Sequence, residues 1–270
     1  TVHPCPAGVT SFALEADAVA RAIRSGKTEL GAPGMNWADS LGNLATLDRW
    51  REAVGLTYPD EKPAPRRSSL SGRPVRARTG KSGHHMRYGR IPGLEKPVSR
   101  FIYGALAAHG SFAKAQVLFD HWLEVGGNAF DTGWIYGPCD AILGHWLASR
   151  GVREEVVLIA KGAHTPHCNP EGVKRELSES LERLQTGYTD IYILHRDNPD
   201  IPVGEFIDVL NEQVEAGRIG VFGGSNWSPK RFVEANIYAQ ANGKQGMTVL
   251  NNNLSLARMV DPVWAGCIHL

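Results

Sequence analysis

From Met86 onward, short apolar runs alternate with longer segments whose apolar residues recur every three or four positions. The runs centre near Phe101, Ala129, Leu158, Ile193, Val221 and Val249 and predict β-strands. The segments between them predict amphipathic helices. Ala115, Leu118, Trp122 and Val125 form one stripe, ending at Gly126-Gly127. Val173, Leu177, Leu181 and Leu184 form another, opened by Asn169 as N-cap and Pro170 in the first turn. Phe206, Leu210 and Val214 mark a third helix that stops at Gly217, and Ser228-Pro229 opens the next. Strand centres lie roughly 30 residues apart, the length of one strand-helix unit. The expected fold is α/β, an incomplete (β/α)8 TIM barrel of about six β/α units, because a closed barrel needs eight. The count implies that two units are missing on the C-terminal side and that the barrel is open.

The front of the chain has another pattern. Two helices are expected, one from Ser11 to Arg24 with Gly26 as its stop, the other from about Asp39 to Ala53. Leu44, Leu47 and Val54 share a side of the second, and Gly55 ends it. Between Pro59 and Gly83, Pro, Arg, Ser and Gly predominate and apolar residues nearly vanish, as in a linker. The expected division is an α-helical tail segment over 1–62, a linker over 63–85 and a barrel over 86–270.

Composition narrows the classes. With 270 residues, 42% of them hydrophobic, the chain can bury a large core. Lys+Arg 29 against Asp+Glu 28 leaves a formal net charge of +1, so no global field draws nucleic acid or an acidic membrane, and neither is an expected partner. No apolar run approaches the roughly 18 residues of a membrane span. The first residues lack a basic region followed by an apolar one, and Cys5, Cys139, Cys168 and Cys267 are widely spaced. Reduced thiols and a cytoplasmic location are the expectation.

The candidate chemistry lies where apolar runs end. Asp131 closes Asn128-Ala129-Phe130, Lys161 closes Val156 to Ala160, and His195 closes Ile191 to Leu194, while Tyr136 follows Asp131 in a glycine-containing loop. In a parallel barrel the C-terminal strand ends all open on one face, where such folds do chemistry. Reducing a carbonyl needs hydride at carbon and a proton for the developing alkoxide. A tyrosine hydroxyl holds its proton at neutral pH, and a neighbouring ammonium eases its release. Tyr136 is then the general acid, Lys161 the ammonium, Asp131 the partner that fixes Lys161, and His195 the donor that orients the carbonyl oxygen.

Several stretches in order carry a resemblance: Met86-Arg87-Tyr88 through Val98-Ser99-Arg100, Phe130 to Gly137, Ser180-Leu181-Glu182-Arg183-Leu184, Tyr188 to His195, and Gly217 to Asn226. Residues 86–270 resemble the first six units of the aldo-keto reductases. The resemblance implies an NADP-dependent oxidoreductase, with NAD not excluded, acting on a small-molecule carbonyl compound. It gives Asp131, Tyr136, Lys161 and His195 the roles above and assigns Ser225, Asn226 and Asn251 to the nicotinamide carboxamide. Many relatives carry Gln at the third position, so Asn251 is a departure. In this family loops after strands seven and eight hold the adenosine phosphate, and the resemblance implies that these phosphate-binding loops are absent from this chain and that the chain alone is inactive.

Glu15 to Lys27, Trp37 to Leu41 and Asp48-Arg49-Trp50-Arg51 carry a second resemblance. Residues 1–62 look like the C-terminal tail of a glucose-fructose/inositol dehydrogenase-like (Gfo/Idh/MocA-type) oxidoreductase, which makes the chain a fusion of two modules and suggests a sugar-derived substrate.

Other readings compete. A non-catalytic, reductase-like binding or regulatory module could keep the same residues. A metal-dependent barrel isomerase or lyase would need an acidic or histidine cluster at the strand ends, and no metal site is expected. His164, His167 and Cys168 lack a fourth zinc ligand and read as loop residues at a substrate entrance. His84-His85 read as solvated. His195-Arg196-Asp197 has the residue order of a kinase catalytic loop, but no glycine-rich phosphate loop or Asp-Phe-Gly accompanies it.

Overall fold

The computed structural model of the chain describes residues 11–31, 34–58, 75–80, 83–108, 110–254 and 259–268. Chain contacts divide it into two compact units, Thr1–Ala64 and Pro65–Leu270. The first holds α1 (Ser11–Arg24) and α2 (Trp37–Ala53). Helix α2 begins ahead of the expected Asp39 because Asn36 is its cap: the Asn36 side chain accepts from the Asp39 N–H at 2.8 Å, and Asp39 accepts from the Asn36 N–H at 3.1 Å. This reciprocal box satisfies two end-of-helix donors. Gly26 and Gly55 follow the helices with φ of 69° and 64°, the left-handed conformation in which glycine is unstrained. No residue of α2 is buried, and Leu44, Leu47 and Val54 are exposed.

The second unit opens with an antiparallel hairpin, β1 (Tyr88–Gly89) and β2 (Val98–Ser99). Six parallel strands follow, each paired with the next in sequence: β3 (Tyr103–Gly104), β4 (Ala129–Asp131), β5 (Val157–Gly162), β6 (Thr189–Leu194), β7 (Ile219–Ser225) and β8 (Val249–Asn251). Between them lie α3 (Phe112–Glu124), α4 (Cys139–Arg150), α5 (Pro170–Arg183), α6 (Val203–Glu215) and α7 (Pro229–Ala241). This is the incomplete TIM barrel that the strand-helix spacing predicts. Among the described residues, no helix is long and apolar enough to cross a membrane.

Two apolar layers form on the two faces of the strands. Phe130, Leu158, Tyr192 and Phe222 pack outward against the helices. Ala129, Val157, Ile159, Ile191, Ile193 and Val221 point inward, where Ile91 and Leu94 of the hairpin loop pack against them. Period-two alternation creates both layers. The hairpin was not foreseen, although its Pro92-Gly93 pair is a turn signal.

Helix α3 corrects one expectation. Its buried face carries Ala115, Phe119 and Leu123, with Gln116 and Asp120, while Trp122 and Val125 are only partly buried. Phe119 meets Tyr103, Phe130 and Trp146 edge-on, with centroids 5.4–5.5 Å apart. Asp120 tolerates burial because Arg150 grips it through Nε and Nη2, each at 2.9 Å. Helix α5 keeps its expected stripe, and Asn169 caps it by accepting from the Gly172 N–H at 2.7 Å. Within the stretch read as a linker, Val75 is buried in the outer layer, and Arg76 and the Ala77 N–H donate to Glu155 at 2.9 and 3.0 Å. Residues 63–74 and 81–82 of that stretch lie outside the described residues, as does Cys5. His84 is not solvated: it is half-buried and accepts from the Met86 N–H at 3.1 Å.

Candidate active site

The inward register of the strands also positions the site. Asp131 lies two residues beyond Ala129, Lys161 two beyond Ile159, and His195 two beyond Ile193, so each polar group continues an apolar inner row at the C-terminal rim. Lys161 Nζ donates to Asp131 Oδ1 at 2.7 Å and stands 5.1 Å from the centre of the Tyr136 ring. Tyr136 Oη lies 3.4 Å from His195 Nε2, with the two rings edge-on and their centroids 5.4 Å apart. The four residues singled out in the sequence therefore converge.

Their electrostatics follow from burial and neighbours. Burial alone would lower the Lys161 pKa, but Asp131 and Tyr136 outweigh it and the pKa is raised, so the ammonium persists. Burial raises the Asp131 pKa against the pull of Lys161. Burial, then the nearby Lys161, His164 and Arg196, push His195 down to about 2, so its ring is neutral at physiological pH. His195 Nδ1 is buried without a hydrogen-bond partner among the described residues.

The loops that carry these groups are held by carboxylates that the sequence reading missed, two of them, Asp140 and Glu176, fully buried. Tyr136 follows Trp134, whose Nε1–H donates to Glu179 Oε2 at 2.6 Å. Thr132 and Ser180 donate to the two oxygens of buried Asp140 at 2.5 and 2.8 Å, tying the same loop to α5. Ala163, just past β5, has a φ of 55°, a left-handed conformation that costs an alanine about 1–2 kcal/mol. Its N–H donates to the fully buried Glu176 at 2.7 Å, which offsets that strain. A signal existed: Glu176 and Ser180 fall on the Val173-Leu177-Leu181 face of α5, where a charged residue needs partners.

His164 lines the site, its ring edge-on to His195 with centroids 4.9 Å apart. His167 bonds Glu176 through Nδ1 at 3.0 Å. Among the described residues, no cluster of three or more His, Cys, Asp or Glu could hold a metal ion.

Beside the tetrad, β7 ends on Gly223-Gly224-Ser225. A side chain on Gly223 would strike the Val249 carbonyl, so glycine there is what lets β8 approach. Asn226 has a φ of 56° and is nearly buried. Its Nδ2 donates to Ser225 Oγ at 3.1 Å, and Ser225 Oγ donates to Asn251 Oδ1 at 3.5 Å. Asn226 Oδ1 accepts from the backbone N–H of Ile268 at 3.1 Å. The three residues expected to act together are contiguous, but Asn251 sits exposed on the outermost strand.

Comparison with known proteins decides the family: residues 101–263 match the Aldo/keto reductase family model. The chain belongs to the aldo/keto reductase family. Among similar proteins, the uncharacterized oxidoreductase YrpG of Bacillus subtilis is 28% identical over 52% of this chain and 48% of its own length. Norsolorinic acid reductase B of Aspergillus parasiticus is 30% identical over 55% of this chain and 42% of its own length. A probable voltage-gated potassium channel subunit beta of Oryza sativa subsp. japonica is 29% identical over 51% of this chain and 46% of its own length. The chain thus spans about half the length of the curated relatives it matches. A thermostable aldo-keto reductase, Tm1743, shares the fold, with a TM-score of 0.54 and 22% identity over 61% of each chain.

Proposed function

We propose that the whole protein is an NAD(P)H-dependent oxidoreductase that reduces aldehydes or ketones, with Tyr136 as the general acid. The observation that carries this reading is the contact of Tyr136 with both a neutral His195 and the Lys161–Asp131 ion pair at one rim of the barrel. The Tyr136 hydroxyl delivers the proton to the developing alkoxide. Lys161 stabilises the phenolate left behind, and Asp131 holds the ammonium in place. His195, with its proton on Nε2, donates to the carbonyl oxygen and sets its position in front of Tyr136.

Ser225, Asn226 and Asn251 offer a hydroxyl and amides to a nicotinamide carboxamide. The donor set fits: Asn226 Oδ1 already takes a backbone amide N–H, the same donor chemistry that a carboxamide presents. A nicotinamide cofactor, NADP in preference to NAD, would supply the hydride. A relative named as a norsolorinic acid reductase supports the reaction class. The reading of 1–62 as a Gfo/Idh/MocA-type tail is part of this proposal and adds a sugar-derived carbonyl as the first substrate to try.

One observation favours a second reading, a non-catalytic binding or regulatory module: the similarity to a probable channel subunit. The test follows NADPH and NADH oxidation by the whole protein with aldehydes and ketones, alongside cofactor binding by tryptophan quenching. Tyr136→Phe should lower turnover about 10²–10⁴-fold and leave cofactor affinity nearly unchanged. Turnover that survives this change removes Tyr136 as the acid. Cofactor binding with no turnover in the unaltered protein favours the regulatory reading.

A further inference from the structure

A cavity of about 350 Å³ adjoins the carboxamide-binding half of the site, which contributes Asn226 to its wall, and lies between the loop after β6, the start of α7 and the segment Ala265–Ile268. Two residues of its wall follow rim residues in sequence. Thr165 follows His164, whose ring touches that of His195, and Arg196 follows His195 itself. Two guanidinium groups line it, and they are held differently. Arg231 is matched: it donates to both oxygens of Asp197 at 3.0 and 2.9 Å, and to the carbonyls of Asn198 and Ile201 at 3.1 Å. Arg196 has no carboxylate within ion-pair distance among the described residues. It donates to the His195 carbonyl at 2.7 Å and lies 5.7 Å from the centre of the Trp264 ring. Two cations against the single carboxylate of Asp197 leave this cavity with one uncompensated positive charge.

A guanidinium fork that faces a cavity with its donors partly free is suited to a planar or tetrahedral oxyanion. We propose that this cavity is an anion subsite in which Arg196 holds a carboxylate or phosphate borne by the substrate, with the substrate's carbonyl directed to Tyr136 and His195. The second half of that statement rests on the reductase reading; the anion binding does not. The positive charge of Arg196 also contributes to keeping His195 neutral, as a carbonyl donor must be.

The test uses this chain with 4-oxobutanoate, butanal and inorganic phosphate as probes, read by calorimetry and by tryptophan emission at constant ionic strength. Trp264 beside Arg196 is the local reporter. The expected result is saturable binding of at least one anion, no comparable binding of butanal, and affinity reduced about tenfold or more by Arg196→Gln. Binding of 4-oxobutanoate without phosphate identifies a carboxylate site; the converse identifies a phosphate site. If butanal binds as well as the anion that does bind, if neither anion binds, or if Arg196→Gln binds as the unaltered chain does, the subsite is overturned. Should Arg196→Gln fail to fold, Trp264→Phe must keep the calorimetric affinity and lose the emission change. An emission change that persists in Trp264→Phe places the anion elsewhere and overturns the assignment. None of these readouts depends on turnover. Their failure leaves the reductase reading standing, and a turnover surviving Tyr136→Phe leaves the subsite measurable.

Discussion

The two halves of the candidate site are built with different rigidity. Asp131, Lys161 and His195 sit on or just past strands with neighbours on both sides, and Lys161 and Asp131 form a partly buried ion pair of 2.7 Å. Ser225 and Asn226 are buried at the end of β7, but the third member, Asn251, ends the edge strand β8 and is exposed, and the contacts that link the three are 3.1 and 3.5 Å. A buried charge pair must be made well or it costs several kcal/mol, whereas an exposed amide on an edge strand can exchange its partner for water at little cost. The proton-transfer half is therefore preorganised by the fold, and the carboxamide-binding half is shaped in part by whatever lies against it, here the Ile268 N–H.

The comparison breaks first at Asp131. Asp131→Asn leaves the Lys161 ammonium buried without its counter-charge and should cost about 3 kcal/mol, read as a lowered urea midpoint with unchanged slope. A loss under about 1 kcal/mol would mean that water reaches Lys161 and that the inner half is no more rigid than the edge.

The next effect is a pH dependence. The folded pKa of His195 is about 2, below its ordinary value near 6.5, so below pH 6.5 the unfolded chain binds a proton that the folded chain refuses. The stability contributed by neutral His195 is complete above pH 6.5 and is lost as pH falls from there toward 2. Between pH 7 and pH 5 the loss should be about 1–2 kcal/mol, and His195→Gln should flatten that part of the profile. Identical thermal-melt profiles for the two proteins over that range would remove His195 as a neutral buried ring.

The smallest effect belongs to the edge. Asn251→Ala should change stability by less than about 0.5 kcal/mol, because its hydrogen bond is long and its side chain exposed. A larger cost in the same urea series would show that the carboxamide half is as fixed as the tetrad.

Strand ends were legible because alternation is local. Asp131, Lys161 and His195 each lie two residues past an inward apolar position, and a polar residue in that row has few explanations besides function. Tyr136 was legible through its glycine-containing loop and the family resemblance. Glu176 and Asp140 were not read, because their partners come from other elements: Ala163 and His167 for one, Thr132 and Ser180 for the other. The face of α3 was misjudged for the same reason. Asp120 is polar in the sequence and buried in the fold, since its Arg150 partner is thirty residues away and comes from α4.

The sequence by itself determined the strand-helix alternation, the open parallel barrel and the identity of the groups at its rim, because periodicity and strand-end position are encoded within a few residues. Tertiary structure decided which face of a helix is buried, that the β1–β2 hairpin loop packs against the inner apolar layer, that Glu176 offsets the strain at Ala163, and that Arg196 faces a cavity without a counter-charge. These depend on contacts between residues far apart in the chain, whose energies appear only when packing brings the partners together and removes water from between them.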